Sequence, residues 1–115
     1  MSSKARGMAL VFAGLAALAL GPISRADDEA LPVVRFHDGK FEPDELVVQA
    51  NTPFRLRVVN ANAEAIEFES FELNRERVVL PGSEIVVYLP PLNPGSYKFF
   101  DDFHHGAGEG TITAK

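Results

Sequence analysis

The sequence predicts an all-β fold, a Greek-key β-sandwich of about seven or eight strands, on three observations. Apolar residues recur with a period of two, and no stretch carries the 3.6-residue period of a helix. Turn-forming residues punctuate the chain at Asp38-Gly39, Asn51, Asn60 to Asn62, Pro81-Gly82 and Pro90 to Gly95, a spacing of roughly ten residues that suits a sandwich. The run Leu92-Asn93-Pro94-Gly95-Ser96-Tyr97 has the form of a tyrosine corner, in which the Tyr hydroxyl bonds back to upstream backbone.

Element by element, the pattern places strands at Val33 to Phe36, Leu46 to Gln49, Pro53 to Asn60, Ile66 to Glu69, Arg77 to Leu80, Ser83 to Leu89, Tyr97 to Phe100 and Thr111 to Thr113. In the third, Phe54, Leu56 and Val58 alternate with Arg55 and Arg57, the mark of a half-buried strand. Ile85, Val87 and Leu89 repeat the device. If Phe68 enters the core, Ile66 joins it and Glu67 and Glu69 share the opposite face, because strand side chains alternate. Asn51 lies where a hairpin favours a positive φ.

Residues 1–26 stand apart as a signal peptide. Lys4 and Arg6 form a positive start, Met8 to Leu20 is an apolar run, and Ser24-Arg25-Ala26 supplies small residues for cleavage. The run is short for a span of ~20 residues and ends in Gly-Pro, which favours cleavage over anchoring. Export to the periplasm follows, with no membrane span after cleavage. Residues 27–31 read as a flexible lead-in and residues 32–115 as one folded domain. Cleavage leaves eight basic residues against sixteen acidic ones, a net charge of −8. Such a chain repels nucleic acid and attracts cations or basic partners. There is no cysteine, and both methionines lie in the leader, so a metal site must use nitrogen and oxygen.

Two stretches carry a family resemblance. Phe41-Glu42-Pro43, Leu46-Val47-Val48, Thr52-Pro53-Phe54 and Val58-Val59-Asn60 resemble the opening of cupredoxin domains. Tyr97-Lys98-Phe99-Phe100-Asp101-Asp102-Phe103-His104-His105-Gly106-Ala107-Gly108-Glu109-Gly110 resembles their ligand loop, where a Cys, a His three residues on and a later Met bind copper. Here Asp101 stands in the Cys position, His104 keeps the His, Glu109 falls at or beside the Met, and Ile66 takes the place of the first His. Without the thiolate a blue-copper centre cannot form. Ile66-Glu67-Phe68-Glu69-Ser70 and Phe99-Phe100-Asp101-Asp102-Phe103-His104 are similar to the small cupredoxin-like proteins that accompany a bacterial ferrous-iron permease.

Asp101, Asp102, His104 and His105 fall within five residues, and carboxylates with imidazoles suit iron, manganese, zinc or oxidised copper. Asp101 and His104 lead this candidate set, with Glu67, Glu109, Asp102 and His105 as further ligands. Phe99, Phe100 and Phe103 are expected to lower the local dielectric. The plain alternative is a solvated acidic turn, and His37 at its hairpin reads as merely exposed. The resemblance implies a periplasmic metal-handling protein, an accessory in the oxidation or delivery of iron whose partner is an iron permease or another uptake component. A copper(II) carrier and a metal-free interaction domain are the other readings.

Overall fold

Nine strands in two sheets make up the described part of the chain, and no helix occurs there. The computed structural model describes residues 31–106 and 108–115. The expected signal peptide, and all but the last residue of the lead-in, therefore lie outside the described residues.

One sheet contains β2 (Lys40–Glu42), β1 (Val33–His37), β4 (Phe54–Asn60) and β7 (Glu84–Leu89), in that order. The other contains β3 (Glu45–Val48), β9 (Glu109–Ala114), β8 (Gly95–Asp101), β5 (Ile66–Ser70) and β6 (Arg75–Val79). Neighbours pair antiparallel except β1 with β4 and β3 with β9, which run parallel. The eight expected strands are all present. The ninth, β2, is the return arm of the Asp38-Gly39 hairpin and contributes a single core residue, Phe41.

The period-two pattern becomes the core directly. Val34 and Phe36 of β1, Leu56 and Val58 of β4, Ile66 and Phe68 of β5, and Val87 and Leu89 of β7 are buried between the sheets. Each such side chain contributes roughly 1.5–3 kcal/mol through removal from water. Four phenylalanines concentrate the packing. Phe41 meets Phe36 and Phe99 edge-on at 4.8 and 5.0 Å between ring centres, and Phe68 lies 5.1 Å from Phe99. Phe99 is two residues before the end of β8, so the cluster supports the strand that leads into the candidate loop.

Local details close the sandwich. The Tyr97 hydroxyl donates to the Asn93 carbonyl at 2.7 Å, completing the tyrosine corner. Asn51 has a φ of 60° and its N–H bonds the Leu92 carbonyl at 2.8 Å.

Candidate functional site

The loop after β8 is organised by one buried carboxylate. Asp101, whose side chain has no exposed surface, ends β8 opposite Phe68 of β5. Its Oδ1 accepts the backbone N–H of Glu67 and that of Phe103, both at 3.0 Å. Its Oδ2 lies 2.6 Å from Nδ1 of His104. A buried carboxylate is stable only with such partners, and Asp101 has three. The backbone turns back at the same point: the His104 N–H bonds the Asp101 carbonyl and the Asp101 N–H bonds the Gly108 carbonyl.

The far nitrogen of the imidazole meets a second acid. His104 Nε2 lies 3.0 Å from Glu64 Oε1, on a side chain 78% exposed. Glu64 is in the loop between β4 and β5, which is shaped by the wholly buried Asn60. The Asn60 amide donates to the carbonyls of Glu64 and Val79 at 2.8 and 3.0 Å, and its Oδ1 accepts the Asn62 N–H. The His104 imidazole is held above its ordinary range, chiefly by the hydrogen bond to Asp101, with Glu64 adding and partial burial opposing.

Blue-copper chemistry does not fit these residues. At Asp101, the position the resemblance matches to the cupredoxin Cys, the carboxylate oxygens are committed to two amides and an imidazole. The imidazole nitrogen on the outer side, Nε2, faces an exposed carboxylate able to move. A hydrogen-bonded carboxylate behind an imidazole is the usual support of a metal-ligating histidine.

Of the expected ligands, the structure joins Asp101 to His104 directly and to Glu67 through the Glu67 backbone. Asp102 and His105 form an outer pair, 3.7 Å apart, with His105 81% exposed. Glu109 is exposed, pairs with Phe100, and borders a surface recess with Glu72 and Lys98. Among the described residues the polar partners of the His104 ring are Asp101 and Glu64, not Glu109. The expected aromatic shielding is uneven: Phe99 is core, but Phe103 is 49% exposed.

A second carboxylate group lies on the outer face of the five-stranded sheet. Glu67 and Glu69 of β5 share that face, as the alternation requires, and Glu76 of β6 sits directly across from Glu69. One oxygen from each lies within 4.8 Å of the others. Burial, then the neighbouring acids, pushes Glu67 and Glu69 above the usual carboxylate range. Sequence reasoning named Glu67 but missed Glu64 and Glu76. Glu76 is placed by cross-strand register, and Glu64 by a hydrogen bond that its carbonyl accepts from Asn60, four positions earlier.

The Cupredoxin-like domain family matches residues 8–114. An uncharacterized protein of Rickettsia prowazekii (strain Madrid E) is 40% identical over 93 residues, covering 80% of this chain and 74% of its own. Amicyanin from Paracoccus versutus is similar in structure, with a TM-score of 0.60 at 16% identity, over 75% of this chain and 82% of amicyanin. The metal binding domain of the Cu(I)-exporting P-type ATPase of Streptococcus pneumoniae D39 gives 0.65 at 15% identity, over 72% and 82%. Auracyanin A, a "blue" copper protein of Chloroflexus aurantiacus, gives 0.63 at 11%, over 75% and 98%. At these identities the structural likenesses show the fold, and the sequence match shows the family: the chain belongs to the cupredoxin-like domain family.

Proposed function

We propose that this domain is a metal-handling cupredoxin-like protein that binds a divalent cation through His104 Nε2 and the Glu64 carboxylate, without sulfur. The observation that carries it is the pinning of His104: Asp101 holds Nδ1, which leaves Nε2 aimed at an exposed, movable acid. Admitting an ion would displace one proton from Nε2 and swing Glu64 outward, with no loss of core packing. Proton and metal compete for the same nitrogen.

Ferrous iron is the cargo we favour, delivered in the periplasm to an iron permease or another uptake component. Three features support this reading: the leader-like residues 1–26, the acidic balance of the remainder, and the resemblance of the Ile66–Ser70 and Phe99–His104 stretches to permease-associated relatives. Delivery is favoured over oxidation, because a two-ligand site offers no route for the four electrons that reduce dioxygen. Copper(II) suits the same ligands and stands higher in the affinity order, so ranking the metals is part of the test.

A metal-free role has its own supporting observation, since both nitrogens of His104 already have carboxylate partners. Anaerobic titration with Fe(II), and separately Cu(II), followed by calorimetry and proton release, separates the readings. We expect saturable binding with proton release that disappears in His104→Ala and weakens in Glu64→Gln. Binding unchanged in His104→Ala, or no binding at all, would leave the loop as a metal-free structural device.

A further inference from the structure

We propose that the recess at the Pro53–Pro90 end of the four-stranded sheet binds a small carboxylate carried on an apolar, aromatic body, with Arg55 and Arg75 holding the acid group. It lies away from His104: the length of β4, about 20 Å at roughly 3.3 Å per residue, separates it from the Glu64 loop. Such binding is independent of any metal at His104.

The strand ends supply the shape. Phe54 of β4 and Leu89 of β7 form the last pair of their ladder, and Pro53 and Pro90 lie just beyond it. Neither proline has an N–H to donate to a further rung, so the ladder stops there. What remains is a hollow of about 450 Å3, lined by both prolines, Phe54 and Tyr88 as well as the two arginines. That is the size of a small-molecule site. Tyr88 is 65% exposed, which leaves its ring and hydroxyl open to a ligand.

Charge selects the ligand. No acid lines the hollow, although the chain has sixteen acidic residues against eleven basic ones. Among the described residues neither Arg55 nor Arg75 has a carboxylate partner. Arg75 is already positioned: its Nε and Nη2 both donate to the Tyr88 carbonyl, at 3.1 and 2.9 Å, and its Nη1 donates to the carbonyls of Leu73 and Asn74. Neutral carbonyls fix a guanidinium without cancelling its charge, and one Nη2 N–H stays free. Arg55 sits across the ladder from Tyr88, and its side chain makes no hydrogen bond among the described residues, so its whole fork is available. A planar carboxylate takes such a fork in bidentate fashion and accepts a third donor besides. The prolines and rings alongside favour an apolar body over a bare inorganic anion. Because Arg75 is held before the ligand arrives, less ordering opposes binding.

The test is an NMR titration of the metal-free full-length chain with phenylpropionate, followed at the backbone amides. Its neutral amide, phenylpropionamide, and inorganic phosphate are the comparison probes. We expect saturable shifts at the amides of Arg55, Arg75 and Tyr88, while those of Glu67 and His104 stay still. Affinity should fall at least about fivefold in Arg55→Gln and be unchanged in His104→Ala. Arg55→Gln removes no internal hydrogen bond and should melt as wild type does. Arg55→Lys, which keeps the charge and loses the fork, gives the same comparison in a second variant. The site is overturned if phenylpropionate gives no saturable shift, or if binding is unchanged in both Arg55 variants. It is also overturned if the amide binds as tightly, which would make the hollow merely apolar, or if phosphate does, which would make it merely cationic.

Discussion

At the residue scale, Asp101 illustrates how one side chain organises a loop. Its carboxylate replaces a ladder partner for the Glu67 N–H, caps the turn at Phe103 and orients His104. Asp101→Asn keeps the shape but sets an amide where one acceptor must be. An Asn Oδ1 facing the two backbone donors leaves its NH2 toward His104 Nδ1, and the opposite rotamer abandons the backbone. We expect a loss of about 1–3 kcal/mol, measured by urea denaturation. The His104 titration, followed by NMR, should fall back toward its ordinary 6.5. An unchanged titration would mean that Asp101 does not set the charge on the imidazole. The position of Asp101 was legible from the ligand-loop spacing. Its burial and saturation were not, because they depend on donors from Glu67, 34 residues away.

At the element scale, the alternation of apolar residues sufficed for eight strands and for the face shared by Glu67 and Glu69. It missed β2, where three residues show only one core side chain, too short a run for any period. Nor does periodicity reveal register, so Glu76 could not be matched with Glu69 before the hairpin was seen. The loop between β8 and β9 shows how such an element is fastened. Gly108 has a φ of +70°, and a Cβ there would come within 2.5 Å of the Phe36 ring. Gly106 has a φ of +84° but open space around it. Gly108→Ala therefore combines left-handed strain with a clash against the core, about 2–4 kcal/mol in all. Gly106→Ala meets the strain alone, about 1–2 kcal/mol. Equal melting temperatures for the two variants would show that the loop does not lean on Phe36.

At the scale of the whole molecule, the shifted groups point one way. His104 titrates above its ordinary 6.5, because Asp101 and Glu64 favour the imidazolium. The stability it adds is complete below 6.5 and is lost as the pH rises through its higher folded-state value. Glu67 and Glu69 titrate above their ordinary 4.5, because burial and neighbouring acids disfavour the anions. Their folded forms hold protons that the unfolded chain has released, so they too favour the fold on the acid side. That gain fades as the pH rises from 4.5 through their raised values. All three bind more protons in the native state, so stability should fall with rising pH across the whole interval. In the presence of chelator, the melting temperature should climb as the pH is lowered from about 8 to about 5. His104→Asn should flatten the upper part of that slope and Glu69→Gln the lower part, since each removes one proton-binding group from its own window. A melting temperature that is level or rises with pH would mean that the imidazole and the paired acids are not poised as the structure has them.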